Sequence, residues 1–204
     1  MNFLAHCLLA AGASDDPERQ DGLIAGGLLG DFVKGPVPAH WPETARLGVR
    51  LHRRIDAYSN QHAGIRQSCD RFPAELRRFA PIFVDVIADH LLSLDWKRHH
   101  HAPVAEFSQR CYALVEAHRH LLEGEHDQYL DWMQENDLLA GYAEPEVMLR
   151  GLRSITRRLR RSHLDDAVEA AVIGALPELS EDFERYFPDL VLHAREFVAT
   201  VQSQ

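Results

Sequence analysis

The spacing of apolar residues along the chain predicts α-helices. Apolar side chains recur three and four positions apart, which places them on one face of a helix. This pattern covers seven segments, 20–34, 43–59, 81–96, 103–122, 145–161, 164–176 and 181–201. The opening MNFLAHCLLAAGA predicts a further helix rather than a signal peptide, because it lacks a basic segment and His6 interrupts its apolar stretch.

Proline positions indicate where these helices begin and end. Pro81 suits the first turn of a helix, where its missing N–H is harmless. Pro145 and Pro177 mark further boundaries. The chain has no alternating strand pattern, no Asn-Gly hairpin signal and no internal repeat. The sequence therefore predicts an all-α fold, a single-domain helical bundle over residues 1–204.

Composition and cysteine usage fit a globular protein of the cytoplasm. Apolar residues make up 46% of the 204 positions and charged residues 26%, a balance typical of folded domains. The three cysteines, Cys7, Cys69 and Cys111, form neither a zinc-binding spacing nor a disulfide framework. A reducing cytoplasm is the expected compartment. No uncharged run is long enough to span a membrane.

The formal net charge of −9 argues against general nucleic-acid binding. The basic residues are nevertheless unusual, because Lys34 and Lys97 are the only lysines and all others are arginines. The arginines cluster at positions 46, 50, 53 and 54, and again at 150, 153, 157, 158, 160 and 161. Two interpretations stay open: solvated helix faces paired with acidic residues, or surfaces that contact phosphate or carboxylate groups.

The segment PIFVDVIADHLLSLDW, residues 81–96, places acidic groups on an otherwise apolar helix. Asp85 and Asp89 are four residues apart and so share one helical face. A helix that is apolar on most sides is expected to be buried. Buried carboxylates are costly unless they are paired, hydrogen-bonded or bound to a metal. Two explanations for these carboxylates stay open: an ion pair or cap with an arginine, or a metal site.

Further histidines and carboxylates extend the metal hypothesis. His52 and Asp56 share a helical face, and such a pair is a partial ligand set for manganese or magnesium. Asp31 follows a glycine-rich apolar stretch, and His6 is either a satisfied core residue or a ligand. Helical bundles build metal sites from inward-facing histidines and carboxylates. The histidines at 99–101 are expected in an exposed turn, and those at 118 and 120 in solvent.

Several motifs in order resemble the acyl carrier protein phosphodiesterase family. They are MNFLAH at the start, LLGDFVKG at 28–35, LHRRID at 51–56, RRFAPIFVDVIADHLLSLDW at 77–96, and a segment around Tyr129, Trp132 and Met133 followed by an arginine-rich helix. One departure is Asp95 before Trp96, where a histidine is expected. That family is similar to the HD-type phosphohydrolases, so the resemblance implies an all-helical, HD-phosphohydrolase-like fold.

The resemblance also implies an activity and a set of site residues. The expected reaction is hydrolysis, dependent on Mn²⁺ or Mg²⁺, of the phosphodiester in holo acyl carrier protein, which releases 4′-phosphopantetheine and apo carrier protein. The expected metal ligands are Asp31, His52, Asp56 and Asp89. The expected catalytic residues are His6, His90 and Arg53, with Arg54 as the alternative arginine. Because carrier proteins are acidic, the expected docking face comprises Arg150, Arg153, Arg157 and Arg158.

Two rival functions use the same residues differently. Another HD-type phosphohydrolase, acting on a nucleotide or other small phosphodiester, needs the metal cluster but no docking surface for a protein. A noncatalytic helical protein that binds carrier protein or another acidic partner needs the surface but no functional metal.

Overall fold

The computed structural model describes residues 1–122 and 126–202. Within these ranges the chain forms α-helices, three short 3₁₀ turns and no strand. The helices are α1 (Phe3–Ala11), α2 (Pro17–Leu29), α3 (Glu43–Ser59), α4 (Ala63–Asp70), α5 (Ala74–Arg77), α6 (Ala80–Leu94), α7 (Val104–Ala117), α8 (His126–Glu135), α9 (Leu138–Gly141), α10 (Pro145–Arg158) and α11 (Asp165–Gln202). The predicted all-α fold is confirmed.

Where the sequence predicts a helix, most bounds lie close to those of the structure, and α2 is the main exception in the first half. The sequence predicts no helix at the positions of α4, α5, α8 and α9. Asp16 caps this helix by accepting a hydrogen bond from the N–H of Glu18, and Pro17 occupies its first position. The helix ends at Leu29 rather than at residue 34. Asp31 therefore lies in the turn that follows α2, with its side chain 40% exposed.

The boundary predicted at Pro177 is wrong. Helix α11 runs without interruption through Pro177 and Pro188. A proline inside a helix removes one backbone hydrogen bond and costs about 3 kcal/mol. Helix α11 offsets this cost by packing along α3 and α4. Its buried apolar side chains are Val168, Val172, Leu179, Phe183, Tyr186, Phe187, Leu190, Ala194 and Val198.

Helices α2 and α3 form the most extensive helix pair, and glycine permits their close approach. A Cβ at Gly26 would lie 2.2 Å from the carbonyl oxygen of Ala45 and 2.7 Å from Cα of Gly48. A side chain at either glycine would therefore push the two backbones apart. The close approach places the C-terminal end of α2 directly against the face of α3 that bears His52.

Helix α1 lies at the centre of the fold. It contacts α2, α3, α6 and α11, and all of its residues from Leu4 to Ala11 are buried. Every α-helix contributes at least one side chain to a single cluster of buried apolar residues. The number of domains stays a prediction. None of the helices in the described ranges is both long enough and apolar enough to cross a membrane.

Candidate active site

Three of the predicted site residues lie together at the meeting point of α1 and α3. His6, His52 and Asp56 each offer one ligand atom, and these atoms all lie within 4.8 Å of one another. Nε2 of His6 is 3.0 Å from Oδ1 of Asp56, and Nε2 of His52 is 3.4 Å from Oδ2 of Asp56. Nε2 of His52 also lies 3.8 Å from Oδ1 of Asp31. We call these four residues the His–Asp cluster.

The tautomer of His52 is set by the backbone of α2. Nδ1 of His52 lies 2.8 Å from the carbonyl oxygen of Gly27, to which it donates a hydrogen bond. In the neutral ring this bond leaves Nε2 unprotonated, with its lone pair directed at Asp56 and Asp31. A histidine that donates one ring N–H to a backbone carbonyl and aims the other nitrogen at carboxylates has the arrangement of a metal ligand.

The pKa values of His6 and His52 are shifted in opposite directions by their surroundings. The two rings are stacked, with centroids 3.7 Å apart. Burial, followed by the charge of His52, lowers the pKa of His6 to about 3. Burial also opposes the charged form of His52, but its hydrogen bond with Asp56 and the charge of Asp31 raise the pKa of His52. Nδ1 of His6 is buried and has no hydrogen-bond partner among the described residues.

Carboxylates outnumber the cations around the cluster. Burial raises the pKa of Asp31 and of Asp85. The hydrogen bonds that Asp56 forms with the protonated ring of His52 and with His6 outweigh burial and lower the pKa of Asp56. The α-amino group of Met1 is buried 3.0 Å from Asp85 and 3.4 Å from Asp56. Burial alone would lower the pKa of that amine, but Asp85 and Asp56 raise it to about 10. The local excess of negative charge favours a cation.

Asp89 is an anchor for α1 in this structure. It is fully buried, and its two carboxylate oxygens accept hydrogen bonds from the N–H groups of Leu4 and Ala5, both at 2.9 Å. These are two of the N–H groups that a helix leaves without partners in its first turn. Asn2, at the N-cap of α1, makes no such bond with its side chain. Asp89 lies outside the His–Asp cluster, and its role as a metal ligand stays a prediction.

His90 is a second anchor on the same helix. It is buried, and its Nδ1 donates a hydrogen bond of 2.7 Å to the carbonyl oxygen of Tyr142. The hydroxyl group of Tyr142 in turn accepts a hydrogen bond from Asn2. His90 thereby ties α6 to the segment between α9 and α10. Its catalytic role stays a prediction.

A cavity of about 810 Å³ opens beside the cluster, within the size range of small-molecule binding sites. Asp31, Asp56 and Asp85 line it together with residues of α1, α6 and α8. Helix α10 supplies another part of the lining with Arg150, Arg153, Arg157 and Arg158. The arginines predicted as a docking face therefore share one cavity with the cluster carboxylates.

The cavity arginines differ in their pairing. Arg153 forms an ion pair with Glu169 at 2.6 Å. Arg150, Arg157 and Arg158 are exposed and form no ion pair with any residue that the structure describes. Arg53 instead donates a hydrogen bond of 2.9 Å to the carbonyl oxygen of Val33 and lies outside the residues that line the cavity. A catalytic role for Arg53 stays a prediction.

The remaining histidines near α6 and α7 lie outside this site. The segment 99–101 forms the predicted turn after a 3₁₀ turn, but His99 and His100 are half-buried rather than exposed. His99 packs edge-on against Phe187, and His100 lies against Trp96. Apolar rings therefore account for their burial.

Sequence patterns missed two contributors to the site. The α-amino group of Met1 carries no pattern at all, and Tyr142 lies in a segment for which no periodicity predicted a helix. Asp85 was singled out by its spacing from Asp89 but not as a ligand, and it lines the cavity. The spacing of four residues from Asp89 was a usable signal for Asp85. The roles of the Met1 amine and of Tyr142 depend on contacts with residues distant in sequence.

The fold and the site together define a class: an all-α protein that gathers histidines and carboxylates from separate helices at a cavity, as helical bundles do to build metal sites. Residues 1–190 match the family described as acyl carrier protein phosphodiesterase. The chain belongs to that family, and it is accordingly placed among the phosphoric diester hydrolases.

Similar proteins with curated names carry the same description. The chain is 28% identical to the acyl carrier protein phosphodiesterase of Photorhabdus laumondii over 190 residues, which cover 93% of this chain and 87% of the relative. It is 42% identical over 96 residues to the proteins of that name from Salmonella newport and Salmonella dublin, a match that covers 47% of this chain and 46% of each relative. No solved structure matches the chain, so the likeness to HD-type phosphohydrolases stays a prediction.

Proposed function

We propose that this protein is a metal-dependent phosphodiesterase that hydrolyses the link between 4′-phosphopantetheine and holo acyl carrier protein, giving apo carrier protein and free 4′-phosphopantetheine. The observation that carries the proposal is the position of the His–Asp cluster beside a cavity whose lining includes arginines that form no ion pair with a described residue. Hydrolysis of a phosphodiester is favoured by a cation at the reacting oxygens and by further positive charge at the other phosphate oxygens. Membership of the family supports the choice of carrier protein as substrate.

His6, His52 and Asp56 would hold the divalent ion, with Asp31 beside them. The fit rests on the donor set, two imidazoles and carboxylate oxygens, and on the Nε2 lone pair of His52 that the Gly27 carbonyl leaves free. Such a donor set suits manganese, and magnesium is the alternative. A bound ion supplies a water of lowered pKa and polarises a phosphoryl oxygen. This assignment makes His6 a ligand and gives Asp89 a positioning role.

The chain's own residues then orient and stabilise the reacting group. Asp89 fixes the first turn of α1 through Leu4 and Ala5, so that His6, the next residue of this helix, keeps its place against Asp56. Arg157 and Arg158 line the cavity and have no competing ion pair with described residues, so their guanidinium groups are free to contact phosphate oxygens as negative charge develops. The sequence alone predicted this role for Arg53; the position of Arg157 and Arg158 at the cavity favours them instead.

The exposed face of α10 would dock the carrier protein. Arg150, Arg153, Arg157 and Arg158 lie on one helix beside the cavity, whereas the chain as a whole carries a net charge of −9. A local basic surface attracts an acidic partner and sets its orientation, even on an acidic protein. Docking at this face would leave the phosphopantetheine arm beside the entrance to the His–Asp cluster.

The test is to incubate metal-stripped protein with holo acyl carrier protein, with and without Mn²⁺, and to follow the intact mass of the carrier. We expect loss of the phosphopantetheine mass only with metal. Asp56→Asn should abolish the loss, whereas Asp70→Asn, a matched change at a carboxylate that is 71% exposed, should not affect it. An unchanged carrier mass with every divalent metal would contradict the proposal, and hydrolysis of small phosphodiesters under those conditions would favour the nucleotide-type alternative.

A further inference from the structure

Aromatic side chains line one side of the cavity beside the His–Asp cluster. Phe3 of α1, Phe32 of the turn after α2 and Tyr129 of α8 form a mutual contact, with centroids 6.1 to 6.4 Å apart. Trp132, one turn after Tyr129, stacks on it at 5.7 Å with an interplanar angle of 21°. Phe3, Tyr129 and Trp132 all line the cavity. We call these four residues the aromatic wall.

The outer part of this wall is unusually open to solvent. Trp132 is 46% exposed and Tyr129 41% exposed, whereas Trp41 and Trp96 are 4% and 5% exposed. Other exposed large apolar residues in the described ranges are aliphatic and lie outside the cavity lining: Leu94, Ile173 and Leu192. Two adjacent aromatic rings that stay exposed inside a cavity are typical of a binding surface. Their apolar faces remain in contact with water, and a ligand that covers them gains binding free energy.

The wall is continuous with the catalytic groups. Phe32 follows Asp31 directly in the chain and contacts Tyr129. Burial, followed by the charge of Asp31, raises the pKa of Tyr129, and the positive charge of Arg158 acts in the opposite direction. Tyr129 therefore lies within electrostatic reach of both the cluster and α10. A ligand group held at the cluster would have the aromatic wall as its neighbour.

We propose that the aromatic wall binds the pantetheine part of the substrate and that Trp132 is its main specificity-determining residue; this inference rests on the proposed function. The arm is covalently joined to the reacting phosphate, so a phosphate at the cluster obliges the arm to occupy the adjoining cavity. Its geminal methyl groups and amide planes suit the faces of aromatic rings. An acidic carrier protein is complementary to the arginines of α10 and not to these rings.

The experiment measures binding of free 4′-phosphopantetheine and of inorganic phosphate to the Mn²⁺-loaded protein by titration calorimetry. For Trp132→Ala we expect the Kd for 4′-phosphopantetheine to rise by about tenfold, the effect of losing one buried stacking contact. The Kd for phosphate should stay within about twofold of wild type, because phosphate reaches only the cluster and the arginines. Trp132→Phe should restore most of the affinity, and Leu192→Ala should match wild type.

Quenching of tryptophan fluorescence gives an independent measurement, because Trp132 is the solvent-exposed member of the three tryptophans. Titration with 4′-phosphopantetheine should change the emission of wild type but not of Trp132→Phe. Equal affinity of wild type and Trp132→Ala for 4′-phosphopantetheine would overturn the proposal. A raised KM for holo carrier protein with that affinity unchanged would also overturn it, since the wall would then contact the carrier.

These measurements are separate from turnover. Binding of 4′-phosphopantetheine that depends on Trp132, in a protein that leaves holo carrier protein intact, would support the subsite and contradict only the proposed reaction.

Discussion

The imidazole of His52 lies directly against Gly30, so that a Cβ at Gly30 would be 2.4 Å from Cγ and 2.7 Å from Nδ1 of the ring. Gly30 has ordinary helical dihedral angles, φ −54° and ψ −34°, which alanine adopts without strain. The requirement for glycine here is therefore purely the space that His52 occupies. The end of α2 both holds the ring, through the carbonyl of Gly27, and makes room for it.

We expect Gly30→Ala to displace His52 and to lower metal affinity and activity together. Loss of a well-placed supporting contact at a metal site typically reduces affinity or activity by about 10–100-fold. The measurements are Mn²⁺ affinity by calorimetry and kcat/KM with holo carrier protein. Gly174→Ala is the matched control: a Cβ there meets nothing within 4 Å, and the change should stabilise α11 by up to about 1 kcal/mol. Normal Mn²⁺ affinity in Gly30→Ala would contradict the assignment of His52 as a ligand.

Asp89→Asn is expected to weaken the anchor of α1. An asparagine keeps one acceptor oxygen, so one of the two buried N–H groups of Leu4 and Ala5 loses its partner. A buried donor without a partner costs about 1–3 kcal/mol, measurable as a lower free energy of unfolding in urea.

The same variant separates a positioning role from a ligand role for Asp89. A positioning role predicts that the protein still binds the same number of Mn²⁺ ions, with lower affinity because His6 is less well held. Loss of a bound ion would show instead that Asp89 is itself a ligand. Ser93→Ala, which removes a buried hydroxyl on the same helix, is the control for general damage to α6.

Charge reversal at Arg157 and Arg158 tests the docking face. We expect the double variant to raise the KM for holo carrier protein by about tenfold or more at low salt, with the difference shrinking as salt increases. The control is Arg66→Glu with Arg78→Glu, which changes the net charge equally at exposed positions outside the cavity lining. If both double variants raise the KM equally, net charge rather than a docking face governs the encounter. Because the same arginines are proposed to contact the phosphate, kcat should fall as well, and a fall in kcat with the KM unchanged would contradict the docking role.

Asp182 of α11 provides a test of the fold away from the site. It is 1% exposed and accepts hydrogen bonds from Arg71, Arg185, Ser68 and Gln67. We expect Asp182→Asn to lower the free energy of unfolding by about 1–3 kcal/mol at pH 7, because hydrogen bonds from charged donors are lost. Glu178→Gln, on the exposed face of the same helix, should have no measurable effect.

The effect of Asp182→Asn should also depend on pH. Burial opposes the charged form of Asp182, but Arg71 and Arg185 outweigh it and lower the pKa of the carboxylate below its ordinary value. The stability that Asp182 contributes is therefore present above the unfolded-state pKa of about 3.9 and lost as pH falls through the folded-state value. Urea unfolding of both proteins at pH 7 and below pH 4 should show the difference shrinking in acid. A difference that grows in acid would contradict this assignment.

The sequence determined the class of fold and which residue types are available to the candidate site. Helical periodicity predicted α3 from Glu43 to Ser59, with the bounds that the structure has, because an amphipathic pattern is a local property of the chain. The same periodicity placed His52 and Asp56 on one face of that helix, and they meet at 3.4 Å. Four helices escaped prediction: α4, α5, α8 and α9. For α5 and α9 the reason is their length, because four residues contain too little of the pattern to detect.

Only the tertiary structure decided which polar groups meet across the fold. Spacing within 81–96 marked Asp89 as a buried carboxylate needing compensation, but its partners are backbone N–H groups of α1, some 84 residues away in the chain. The run through Pro177 has the same origin, since packing of α11 on α3 and α4 outweighs a local cost. Residue types and their periodicity are local properties of the chain, whereas the partner of a buried charge depends on which helices the hydrophobic core brings together.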